Sequence, residues 1–181
     1  MWQIMIFFLG ALVLAGLSWR FFQDTRSYRF LRFLAFEAVW AVTVINIPWW
    51  SLEFSSAMQL VSWALLLGSL GFAIGGFFLL LTAGRPMRKG SSADFAFGRP
   101  SRLVTSGPYH YVRHPLYTSL ILLVWGEALK SGSFFSFVFS LLATGLVYIT
   151  ALLEEEENID RFGEAYVKYM TGTRMFLPGV F

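Results

Sequence analysis

Two stretches of this 181-residue chain carry the residue types that do chemistry. The first is Leu103–Tyr117, reading LVTSGPYHYVRHPLY. It packs a Gly107-Pro108 turn, three tyrosines, both histidines of the protein and Arg113 into one segment. The second is the acidic run Glu154–Glu157. Tyrosine faces can hold a planar ring or a cation, and carboxylates accept hydrogen bonds from hydroxyls or an ammonium group. Pro115 suits the first turn of a helix, where free backbone N–H groups can receive polar ligand atoms. Anchoring at a membrane interface explains the first stretch equally well, and a solvated helix face explains the Glu run. Yet four consecutive helical residues fan over about 300°, so some of those carboxylates must point inward.

The elements that must position these groups are membrane helices. Hydrophobic residues make up 56% of the chain and charged residues 14%, which departs from soluble composition. Apolar runs fall at about 2–22, 30–50, 57–83, 112–129 and 134–153, near the roughly 20 residues needed to cross a bilayer. The expected fold is a single all-α domain, a bundle of five transmembrane helices. A polar linker over 84–111 and a helical tail over 154–170, with Ile159, Phe162, Tyr166 and Tyr169 on one face, complete it. The fourth run is short, so it must tilt, extend before Pro115 or sit against protein. The apolar N-terminus lacks a basic leader and a cleavage site, and reads as a retained first span.

Of the 14 basic residues, all but Lys130 flank the same ends of these runs. The positive-inside rule then puts the N-terminus outside and the C-terminus in the cytosol. Both chemical stretches would face the cytosol. The basic residues read as topology signals, so nucleic acid is not an expected partner.

No cysteine is present, which excludes disulfides, thiolate catalysis and Cys-ligated metals. The two histidines lie four residues apart in a Pro-rich segment, a poor start for a zinc site, and no metal is expected. Gly71 and Gly75 form a Gly-x-x-x-Gly pair suited to close helix packing. Glu37 and Glu127 lie within apolar runs, where an acid costs roughly 2.5–3.5 kcal/mol at mid-helix. Glu37 is a substrate or proton-handling candidate, or a partner for Arg29 or Arg32. Glu127 reads as solvated at the far interface.

Taken together, Gly107-Pro108-Tyr109, Arg113-His114-Pro115-x-Tyr117, the Glu154-Glu155 pair and Phe162-Gly163-x-x-Tyr166-x-x-Tyr169 resemble the isoprenylcysteine carboxyl methyltransferase and phospholipid methyltransferase superfamily. The resemblance covers about residues 102–178. It implies an integral membrane enzyme that moves a methyl group from S-adenosylmethionine to a membrane lipid or lipophilic small molecule. It assigns Arg102, Leu103, Val104, Tyr109, His114, Pro115, Leu116, Tyr117, Glu154 and Glu155 to the cofactor. Thr150 stands where prenylcysteine enzymes carry an arginine, which favours an acceptor without a carboxylate: an amine, thiol or hydroxyl. Thr150 and Glu37 are the acceptor-side candidates. If a general base exists, Glu37 and His110 are its candidates. Ser119 replaces a usual glycine and would narrow the pocket. Two alternatives share the same helices: an NADPH-dependent, sterol-reductase-like enzyme, and a non-enzymatic membrane scaffold.

Overall fold

The computed structural model describes residues 2–19, 28–50, 56–83 and 102–177. Most of the expected linker, 84–101, lies outside them, as do the loop arginines at 20, 26, 85, 88 and 99 and Lys89. Among the described residues the regular structure is helical, apart from one isolated parallel bridge between Val112 and Arg174. The helices are α1 (Trp2–Leu17), α2 (Tyr28–Asn46), α3 (Ala57–Thr82), the single turn α4 (Pro108–Tyr111), α5 (Pro115–Ser131), α6 (Phe134–Phe162) and α7 (Glu164–Gly172).

Three helical stretches are long and apolar enough to cross a membrane: Arg29–Trp49, α3 and α6. Their outer faces carry bare apolar side chains, such as Leu67, Leu70 and Ile74 on α3 and Phe135 and Leu141 on α6. Such surface is unfavourable in water. The chain is an integral membrane protein. α1 and α5, at 16 and 17 residues, reach only about 24–26 Å at 1.5 Å per residue, less than the roughly 30 Å hydrocarbon core.

α5 resolves its shortness by lying inside the bundle. α3 packs along one side of it and α2 and α6 along the other. Small residues allow the approach: a side chain at Gly126 would meet Leu66 at 2.9 Å, and one at Gly76 would meet Leu116 at 3.1 Å. Serines then tie the backbones together. Ser62 Oγ donates to the Gly126 carbonyl at 2.7 Å, Ser69 Oγ to Ser119 at 2.7 Å, and Ser140 Oγ to Val124 at 3.0 Å. The main core lies where α2, α5 and α6 meet, around Ala35, Ala38, Val42, Val124, Ala143 and Val147.

Four expectations need correction. The helix expected from 112 starts at Pro115, because Val112 is extended (φ −133°, ψ 142°) and bridges to Arg174. The helix that carries the expected fifth span does not stop at 153: α6 runs on through the Glu run to Phe162, since nothing before Gly163 breaks it. The tail helix therefore begins at Glu164, not Glu154; Gly163 adopts φ +58°, caps α6 and starts α7 in a new direction. Of the Gly71–Gly75 pair, Gly71 faces open space, while Gly75 and Gly76 make the close contacts.

Glu127 is a further correction: it is 1% exposed, not solvated. Because α5 is enclosed, even its last turns face protein, and Thr43 Oγ1 of α2 donates to Glu127 Oε2 at 3.0 Å. Lys130 is buried too. Its ammonium lies 3.0 Å from Gln59 Oε1 and 3.9 Å from the Trp63 ring centre.

Candidate functional site

A cavity of about 220 Å³ opens where the C-terminal parts of α3 and α6 meet the start of α5. Its walls come from six places in the chain. Arg32 and Phe36 enter from α2, and Leu80 from α3. Leu103, Val104 and Tyr109 come from the segment before α5, and His114 to Tyr117, Ser119 and Leu120 from α5. Glu154, Asn158 and Phe162 come from α6, and Tyr166 and Tyr169 from α7.

Local chemistry explains how these groups meet. Gly107 has φ +58°, ψ −133°, a conformation that L side chains avoid, and a Cβ there would strike Leu79. It turns the chain into α4, whose single turn buries Tyr109 inward and leaves His110 exposed. Pro115 then starts α5 with His114 as its cap. The extended residues between pair with the tail: Arg113 N–H donates to Arg174 O at 2.8 Å, His114 N–H to Met175 O at 3.2 Å, and Arg174 N–H to Tyr111 O at 3.2 Å. Tyr169 donates its hydroxyl to the Tyr109 carbonyl at 2.5 Å, which holds α7 over the cavity.

The two central glutamates have different surroundings. Glu155 is 5% exposed and faces Arg113 Nε at 2.5 Å and His114 Nε2 at 3.2 Å. Burial alone would raise its carboxyl, but the hydrogen bonds and charges of His114 and Arg113 outweigh it and hold it below the usual value of 4.5. Arg113 also donates to Thr173 O at 2.6 Å. Glu155 is thus a brace between α6, the start of α5 and the tail, and it does not form the cavity wall. Glu154 does. Its Oε2 accepts the Tyr117 hydroxyl at 2.5 Å, and Tyr117 stacks on His114, with ring centres 5.5 Å apart at 17°. Burial pushes the hydroxyls of Tyr109, Tyr166 and Tyr169 upward, so they remain protonated donors.

Eight of the ten residues expected around a cofactor line this one cavity; Arg102, which is exposed, and Glu155 do not. Glu37, His110 and Thr150 lie outside its wall as well. His110 is on the solvent side of its turn, and Thr150 is fully buried with its hydroxyl donated to Leu146 O at 2.7 Å. Glu37 Oε1 is buried without a hydrogen-bond partner among the described residues. Sequence reasoning missed Arg32, Phe36, Leu80 and Asn158. Phe36 follows Arg32 by four residues, one helical turn, and that spacing is the only trace of a shared face.

Comparison with known proteins identifies the architecture. The phospholipid methyltransferase family profile matches residues 63–164, more than half of the chain. The chain belongs to the phospholipid methyltransferase family. The match runs from α3 through the Glu run to the start of α7, so it takes in most of the cavity wall. Among curated proteins, this family member is 30% identical over 79 residues to methanethiol S-methyltransferase 1 of Bradyrhizobium diazoefficiens, covering 44% of this chain and 27% of that protein. It is 34% identical over 70 residues to methanethiol S-methyltransferase of Pseudomonas sp. (strain GM41(2012)), covering 39% and 26%. It is 33% identical over 72 residues to the enzyme of that name from Pseudomonas deceptionensis, covering 40% and 27%. The matched part of the chain spans about a quarter of the length of each of these relatives.

The donor set fits S-adenosylmethionine. One carboxylate, Glu154, and the Asn158 side chain suit a diol or ammonium. Aromatic faces suit an adenine and a sulfonium, and the nearby Arg113 cation is neutralised by Glu155.

Proposed function

We propose that this protein is a membrane methyltransferase that uses S-adenosylmethionine and acts on a small lipophilic thiol. The observation that carries the reading is Glu154, a carboxylate on the wall of an otherwise largely apolar and aromatic cavity, hydrogen-bonded to Tyr117. When bound, the cofactor supplies a methyl group on a positively charged sulfur. Glu154 and Asn158 would accept and donate hydrogen bonds to its polar ends. Tyr109, His114, Tyr117 and Tyr166 would orient its flat and cationic parts. Phe36, Leu116 and Leu120 would keep water from the acceptor side.

The acceptor enters from the bilayer and the cofactor from the cytosol, with the N-terminus outside. Holding two reactants of opposite solubility in one geometry is worth up to about 7–11 kcal/mol of barrier. A covalent nucleophile is not required. Thiol is favoured over amine because the relatives carry methanethiol in their names.

The test is Glu154→Gln in detergent. S-Adenosylmethionine affinity in a calorimeter should fall about 10- to 100-fold, the loss of a charged hydrogen-bond acceptor, with thermal unfolding little changed. Unchanged affinity overturns the cofactor site. Labelled-methyl transfer offered to methanethiol and to a phosphatidylethanolamine vesicle separates the acceptor classes.

A further inference from the structure

We infer that Arg32 is a catalytic residue that binds the acceptor thiol as its thiolate. This rests on the methyl-transfer reading above. Arg32 is buried on the cavity wall. Its guanidinium lies beside the Tyr117 hydroxyl, which in turn donates to Glu154. The other charges of the site, Arg113 and Glu155, face each other at 2.5 Å.

Position decides what Arg32 can do. One turn further along α2 is Phe36, and one turn along α5 from Leu116 is Leu120, both on the same wall. Ser119 between them turns its hydroxyl back to Leu116 O at 2.7 Å. Arg32 therefore marks the border between the polar mouth and the apolar end where a lipophilic acceptor would lie. A guanidinium keeps its charge at any working pH and offers five donors, so it can serve more than one acceptor atom. At an apolar border its attraction for an anion is strong, because screening by water is weak.

A thiol needs this help. The thiolate is the nucleophile; even the cysteine thiol, with pKa near 8.5, is only a few per cent thiolate at neutral pH, and a simple alkanethiol is less acidic still. On binding, the S–H bond breaks, the electron pair stays on sulfur against Arg32, and the proton leaves to bulk water.

The experiment uses the full chain in detergent, wild type, Arg32→Gln and Arg32→Lys. Butane-1-thiol is titrated into protein saturated with S-adenosylhomocysteine, so that no turnover occurs, in two buffers of different ionisation heat. Wild type should release close to one proton per thiol bound at neutral pH. R32Q should release almost none, and R32K an intermediate amount. Methyl transfer to butane-1-thiol by R32Q should fall about 100-fold, a typical loss for a proton-managing group, while S-adenosylmethionine affinity changes less than about 3-fold. Equal proton release by wild type and R32Q overturns the inference. So does a collapse of S-adenosylmethionine affinity in R32Q, which would assign Arg32 to the cofactor's carboxylate. Wild type that binds S-adenosylmethionine but takes up thiol without releasing a proton defeats the role of Arg32 and leaves the methyl-transfer reading standing. Wild type that binds no S-adenosylmethionine brings down both.

Discussion

Tyr117 and Glu154 are 37 residues apart and meet at 2.5 Å, hydroxyl to carboxylate. The bond joins the first turn of α5 to the point where the apolar part of α6 ends. It fixes the rotamers of two groups that both face the cavity. Tyr117→Phe keeps the ring and its stacking on His114 and removes the donor alone. The expected outcome is a folded protein whose S-adenosylmethionine dissociation constant rises about 10-fold, in line with roughly 1.5 kcal/mol for a hydrogen bond to a charged group. Calorimetry measures it; an unchanged constant would show that Glu154 is held in place without Tyr117.

Arg113→Ala leaves Glu155 buried without its main partner and frees the tail carbonyl of Thr173. Breaking a buried pair from one side costs about 3–5 kcal/mol, so the variant should melt far below wild type. Arg113→Lys should recover only part, since one ammonium cannot hold the carboxylate and the Thr173 carbonyl with the geometry of the planar guanidinium fork.

Glu155 also predicts an acid limit. It lies beyond Leu153, past the apolar part of α6, and its folded carboxyl is held below the usual 4.5. The unfolded state therefore binds the proton first as pH falls. The contribution to stability is fully present above about 4.5 and is lost as pH drops below that value toward the folded one. Wild-type melting temperature should be flat on this account from neutral pH to about 5 and fall below it. Glu155→Gln should start lower and lack that component of the fall.

Gly163→Ala isolates backbone strain. A Cβ there would meet nothing within 4 Å, so the only cost is φ +58°, ψ −139°, of order 1–3 kcal/mol. Relief of that strain would swing α7. The variant should lose protection from amide exchange in α7 first, and the hydrogen bond of Tyr169 to Tyr109 with it.

Thr43 and Glu127 should be coupled. Thr43→Val, Glu127→Leu and the double variant form a cycle whose interaction energy, read from unfolding in detergent, should be about 0.5–3 kcal/mol. A value near zero would mean that Glu127 is held by other contacts.

Pro115, Gly107 and the Glu run announced their places in the sequence because each obeys a local rule: proline at a helix start, glycine at a turn, acids where an apolar helix ends. Eight expected cavity residues converge for that reason. Glu127 was misread because nothing local says that a short apolar helix is enclosed on all sides; only the packing of α3, α2 and α6 around α5 does. Arg32 was read as a topology signal, and its charge does sit at a helix start. That it also faces a cavity depends on the rotation of α2, set by Ala35, Ala38 and Val42 against α6. Gly163 was visible as a residue but not as a bend, since a helical apolar face continues from Ile159 to Tyr169 across it.

The pairing of residues 111–114 with Arg174 and Met175 has a consequence for synthesis. α5 and the apolar part of α6 can enter the bilayer as soon as they leave the ribosome. The extended segment that holds Arg113 and His114 cannot be anchored at that stage, because its partners are made some 60 positions later. The wall of the candidate site that Arg113 and His114 form is therefore tied down only when the last residues of the described chain are in place.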